Sequence, residues 1–82
     1  MPKLVIRYVV PEGYVQELAN RLVLVGGRGG MTRTGKLIGI HRDTLLRGLR
    51  RREFGQQVGV RLIQSLKPST PHIENMLVLT FG

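Results

Sequence analysis

The stretch VGGRGGMTRTGKLIGIHRDTLLRGLRRRE, Val25 to Glu53, decides how this chain folds, and its letters fit two different devices. Gly30, Gly35 and Lys36 have the spacing of a phosphate-cradling loop, and the apolar run RLVLV precedes them as a strand would. Such a loop needs Ser or Thr after its lysine to hold magnesium, and here the position is Leu37. It also needs several strand–helix units around it, and 82 residues leave no room for them. No acidic residue follows an apolar strand to complete a metal site. The nucleotide-binding reading fails on these grounds.

The periodicity around the stretch gives RLVLV another role. In YVQELANRLVLV, Tyr14, Val15, Leu18, Ala19, Leu22 and Val25 recur at helical spacing, with Gln16, Glu17, Asn20 and Arg21 on the other face. This predicts an amphipathic helix, ended by the glycines of GGRGG. MTRTGKLIG then starts a short helix with Thr32 as its candidate N-cap, closed by Gly39 in the left-handed conformation. HRDTLLRGLRRRE reads as a further short helix. Leu45 and Leu49 face inward, and Arg42, Asp43, Leu46, Arg47 and Arg50 face outward. Gly48 weakens that helix by about 1 kcal/mol relative to Ala.

Two helices joined by a tight turn, the second with a cationic outer face, are what a helix-turn-helix requires. Gly35 supplies the small residue where the helices cross, and Gly39 allows the turn. Leu37 or Ile38, Ile40, Leu45 and Leu49 supply the apolar packing. TRTGKLIGIHRDTLLRGLRR resembles the helix-turn-helix of small phage regulators such as Cro. IGIHRDTLLRGLR also looks like the Fis-type motif, through Gly39, Ile40, Arg42, Thr44, Leu45, Arg47 and Leu49. The resemblance covers about a quarter of the chain. With the order of elements along the chain, it implies a Cro-like or winged α+β fold.

Outside the stretch, KLVIRYVV (Lys3 to Val10) is β-branched and aromatic, with Leu4, Ile6, Tyr8 and Val10 on one face, and predicts a strand closed by Pro11 and Gly13. FGQQVGVRLIQSLKP fits a helical stripe and a strand alternation equally. Gly55 and Gly59 and the β-branched Val58, Val60 and Ile63 tip the expectation to a strand from Gln57 to Leu66. KPSTPHIEN is a loop, and NMLVLTFG is a last strand that would form a hairpin with the one before it. The expected fold is therefore α+β: one domain over residues 1–82, in the order β-α-α-α-β-β, with a three-helix core and a small antiparallel sheet.

Composition points to the partner. Thirteen Lys and Arg stand against five acids, a formal charge of +8. Arg28, Arg33, Lys36, Arg42, Arg47, Arg50, Arg51 and Arg52 crowd into the opening stretch. Such a balance favours a polyanion. The candidate DNA-contacting residues are Thr32, Arg33, His41, Arg42, Asp43, Thr44, Leu46, Arg47, Arg50 and Arg51. Arg42 and Arg47 suit a guanine edge or a phosphate, and Asp43 suits cytosine N4, a helix cap or Arg47 at i+4. Thr44 suits a phosphate or a thymine methyl. His41 suits a phosphate or a cap, and Arg50, Arg51 and Arg52 suit phosphates or the helix dipole. Arg61 and Lys67 would lie on a wing. Tyr8, Tyr14, Phe54 and Phe81, set among apolar residues, are assigned to the core.

No cysteine is present, and His41 and His72 lack companions at ligand spacing, so no metal or cofactor is expected. Glu12, Glu17, Asp43, Glu53 and Glu74 are dispersed and no nucleophile motif occurs, so an enzyme is not expected. No apolar run has the length of a membrane span or signal peptide, and a cytoplasmic place, in a prokaryotic nucleoid or an infected host cell, is expected. The expected function is sequence-specific binding of double-stranded DNA by a transcriptional regulator, a repressor of viral, plasmid or prokaryotic type. It would act as a homodimer joined through its short apolar strands. The competing functions are a DNA-architectural protein without sequence preference, an RNA-binding basic protein, and a protein whose basic face meets an acidic partner.

Overall fold

The computed structural model describes residues 5–82. Its elements run β1 (Ile6–Val9), α1 (Val15–Gly26), α2 (Gly30–Ile38), α3 (Arg42–Arg51), β2 (Glu53–Gly55), α4 (Gln56–Leu66), α5 (Ile73–Met76) and β3 (Val78–Phe81), with short 3-10 turns at Glu12–Tyr14 and Gly27–Gly29. The class is α+β, helices with a three-stranded antiparallel sheet in the order β2-β1-β3. Lys3 and Leu4, placed in the first strand by the sequence pattern, lie outside the described residues.

The periodicity of α1 and α3 holds. Leu18 and Leu22 are fully buried on α1, and Leu45 and Leu49 are buried on α3. The α1–α2 contact is tightened by Thr34, whose buried hydroxyl donates to the Leu22 carbonyl across the helix pair and lies within reach of its own helix's Gly30 carbonyl. Val10, Ile38, Ile40, Phe54, Leu62, Leu66, Ile73, Met76 and Leu77 complete one apolar cluster.

The region after α3 departs from expectation. Residues Gln56–Leu66 form a helix, not a strand. Gly59, Leu62 and Leu66 are its buried face, and Val58, one turn before Leu62, packs half-buried against the core. The β-branched residues lose to this burial, because tertiary packing overrides weak local preference. The expected hairpin is therefore absent from the described residues. The strands β2 and β3 do not pair with each other; β1 lies between them and pairs with each. Thus β1 is the central strand, Tyr8 standing opposite Phe54 on one side and Leu79 on the other. Among the described residues no wing carries Arg61 and Lys67. Arg61 sits on α4, and Lys67 follows it, 3.6 Å from the Glu74 carboxylate.

The glycines of α3 and α4 explain why the sheet can lie against those helices. A Cβ on Gly48 would stand 2.0 Å from the Phe54 ring, and one on Gly59 would stand 2.0 Å from the Tyr8 ring. Both helices omit a side chain where an aromatic ring of the sheet must seat. Gly48 costs α3 some helical propensity and returns it as contact with a ring that is only 4% exposed. Tyr14 and Phe81, by contrast, are exposed and do not join the core.

Gly48→Ala should therefore destabilise the fold by about 1–3 kcal/mol, although alanine is the better helix former. Urea unfolding followed by circular dichroism measures this. A neutral or stabilising result would mean that the Phe54 ring turns aside freely.

Candidate nucleic-acid interface

The opening stretch folds as α2, a three-residue turn and α3. Gly39 closes α2 at φ 83° and ψ 29°, in the left-handed region where a Cβ is penalised. The amides of Gly39 and Ile40 both donate to the Gly35 carbonyl, at 2.8 and 2.9 Å, and satisfy the helix end. Gly35 lies where the helices cross, and a Cβ there would stand 2.5 Å from the Ile40 carbonyl oxygen. Of the two alternatives for the packing position, Ile38 is buried and Leu37 is exposed. The Arg61 guanidinium of α4 donates to the Gly39 carbonyl at 3.1 Å, tying the turn to the next helix.

At the start of α3, His41 is the N-cap, its Nδ1 accepting from the Asp43 amide at 3.1 Å. The Asp43 carboxylate turns toward His41 (3.7 Å) and Arg42 (3.9 Å) rather than to Arg47, as expected at i+4. Thr32 is not the cap of α2. That helix begins at Gly30 with Gly29 before it, and Thr32 sits inside its first turn. Its hydroxyl instead lies 3.5 Å from the Arg42 guanidinium, which links the two helices at their outer surface.

Leu45, Gly48 and Leu49 are the buried face of α3, and Thr44 is half-buried at its edge. Arg42, Asp43, Leu46, Arg47, Arg50 and Arg51 are exposed, as are Arg33 and Lys36 on α2. All the sequence-derived candidates thus lie on two adjoining helices and the turn between them, with only Thr44 partly covered. A cleft of about 320 Å³ runs between α3 and the sheet, lined by Thr44, Arg47 and Arg51 on one side and by Arg7 and Phe54 on the other. Beyond Thr44, Gln57 and Arg61 of α4 line the adjoining depression with His41. Sequence reasoning missed Gln57 because it placed that segment in a strand. The signal available was the helical spacing of Val58, Leu62 and Leu66.

Of the acids, Asp43 lies on α3 itself and Glu53 lines the cleft beside Arg47 and Arg51, while Glu12, Glu17 and Glu74 belong to other elements. Glu53 pairs with Arg7 (3.1 Å), Glu12 faces Arg52 (3.8 Å) and Glu74 faces Lys67. Among the described residues Arg33, Lys36, Arg47, Arg50 and Arg51 make no ion pair, so their charge is open to a partner. Arg52 leaves the helix at φ 58° as its C-cap, which turns it from this row toward Glu12.

Among the described residues, no three His, Cys, Asp or Glu side chains gather as a metal site, and no helix is long and apolar enough to cross a membrane. Compared with protein-family models, with curated proteins and with solved structures, the chain matches none.

Because the turn depends on the left-handed Gly39, Gly39→Ala should cost about 1–2 kcal/mol, and Gly39→Asn should cost less. Thermal melts of the two variants beside the natural chain test the ranking. Equal melting temperatures for all three would show that the turn tolerates another conformation.

Proposed function

We propose that the chain binds double-stranded DNA in a sequence-dependent way, as a transcriptional regulator of helix-turn-helix type. The observation that carries this reading is the division of α3. One face, Leu45, Gly48 and Leu49, is spent on the core, while the other presents Arg47, Arg50 and Arg51 without ion-pair partners among the described residues. A helix of 10 residues with its outer face uncovered suits the major groove, where arginine donates two hydrogen bonds to guanine O6 and N7. Arg42, Asp43, Thr44 and Leu46 are the other α3 residues offered to base edges or thymine methyls. Thr32, Arg33 and His41 flank the helix and suit phosphates, which take half or more of the hydrogen bonds in such complexes.

A gel shift tests the proposal, with DNA from the region upstream of the chain's own coding sequence set beside random duplex and double-stranded RNA at two salt concentrations. Preference for one duplex that survives the higher salt supports it. Equal and steeply salt-sensitive binding to every duplex would instead indicate an architectural protein. Tighter binding to the RNA would move the function to that polymer.

Two substitutions separate the roles. Arg47→Ala should weaken specific binding by about 1–3 kcal/mol and relax discrimination at one base pair. Arg51→Ala should lower affinity for all sequences alike and flatten the salt slope by about 1. If Arg47→Ala weakens every duplex equally, its contact is to phosphate. An unchanged slope for Arg51→Ala removes that residue from the interface.

A further inference from the structure

We infer that the outer edge of β3 pairs with the same edge of a second copy, antiparallel, with Thr80 on the two-fold axis. The inference rests on which backbone groups the sheet leaves open, and it stands apart from the DNA-binding reading. Val5 and Gly82 exchange both backbone hydrogen bonds, each at 2.9 Å. In an antiparallel ladder bonding and non-bonding pairs alternate, so the register makes Arg7–Thr80 and Val9–Val78 the next bonding pairs. The amides and carbonyls of Leu79 and Phe81 therefore point away from β1. Among the described residues nothing pairs with them. One residue before the strand, the Leu77 amide is already taken by the Ile73 carbonyl, which closes the edge at that end.

These open groups fix the register. Two copies of β3 satisfy all of them only when Leu79 stands opposite the partner's Phe81 and Phe81 opposite the partner's Leu79. Sliding the strands by one residue puts open groups opposite groups already bonded to β1. Sliding by two leaves one open residue on each copy without a counterpart in the strand. The side chains agree. Leu79 and Phe81 lie on the same sheet face as Tyr8, beyond the cover of α4, and are 46% and 58% exposed. In this register they meet as apolar cross-strand pairs.

Charge selects this edge and this occupant. The chain carries +8, so two copies approach most easily through a neutral surface, and no charged residue occurs from Asn75 to Gly82. The other edge is the three-residue β2, with Arg51, Arg52 and Glu53 at its start and α4 following directly. It offers neither length nor neutrality. Pairing of β3 with β3 gives a continuous six-stranded sheet and presents α3 twice about the axis, so a bound duplex site would carry the same symmetry.

The natural chain has no cysteine, so a single engineered one reports the register without interference. Non-bonding antiparallel partners have Cα atoms about 4.5 Å apart, within disulfide range. Thr80→Cys should oxidise to a covalent dimer, and Leu79→Cys, offset from its own copy, should cross-link far more slowly. Sedimentation equilibrium of the natural chain at micromolar concentration should give twice the 9.2 kDa monomer mass. Phe81→Lys should give the monomer mass while keeping the helical circular dichroism. A monomer mass for the natural chain overturns the inference. So does a Phe81→Lys variant that stays dimeric, or cross-linking at position 79 as fast as at 80. A dimer that binds no DNA leaves the inference standing and removes the DNA-binding reading, while a monomer that binds DNA does the reverse.

Discussion

Two aromatic rings of the sheet rest where two helices have no side chain, and the arrangement of the remaining elements follows from that. Phe54 seats on Gly48 of α3, and Tyr8 seats on Gly59 of α4. The two rings belong to paired residues of β2 and β1, so one two-stranded unit is fixed to two helices at once. Each contact costs helical propensity, about 1 kcal/mol per glycine, and that cost is offset by burying a large apolar ring. The same seating leaves the outward face of α3 uncovered, because its inward face is filled by the sheet and by Leu45 and Leu49.

The position of α3 is held from both ends by small local devices. At its start His41 caps the helix, and Gly35 and Gly39 let α2 approach closely. Arg61 reaches over from α4 to the Gly39 carbonyl, so the turn is tied to the helix that also carries the Tyr8 seat. These bonds are exposed, and each contributes modestly. Their effect is orientation: the row of Arg47, Arg50 and Arg51 is presented on a fixed element. The exposed ion pairs add little stability. Their placement matters more, since they pair Glu12, Glu53 and Glu74 with Arg52, Arg7 and Lys67 and leave that row without ion pairs among the described residues.

The central position of β1 sets what the sheet can do at its margins. A strand paired on both sides has no open edge, so the two short outer strands carry both margins. One is hemmed in by charge and by its neighbouring helices. The other is neutral and apolar, and an open edge of that composition invites pairing.

Local pattern was enough to read α1, the Gly39 turn and the two faces of α3 from the sequence. In each case hydrophobic residues at helical spacing, or a glycine at a helix end, act within a few residues of chain. The position of the residues proposed to contact DNA was legible for the same reason, since all lie on that turn and its helices. The segment Gln56–Leu66 was not legible, because Val58, Leu62 and Leu66 fit both periods and its glycines and β-branched residues argue locally for a strand. Only the Tyr8 ring, brought from the other end of the chain, gives Gly59 its purpose. The sheet order was hidden likewise, since pairing joins residues far apart in sequence and depends on what the intervening chain becomes. Sequence by itself determined the faces of α1 and α3 and the placement of charge. Tertiary structure alone decided which strand lies in the middle, which glycines are seats, and that Phe81 faces solvent, because each depends on contacts between distant segments.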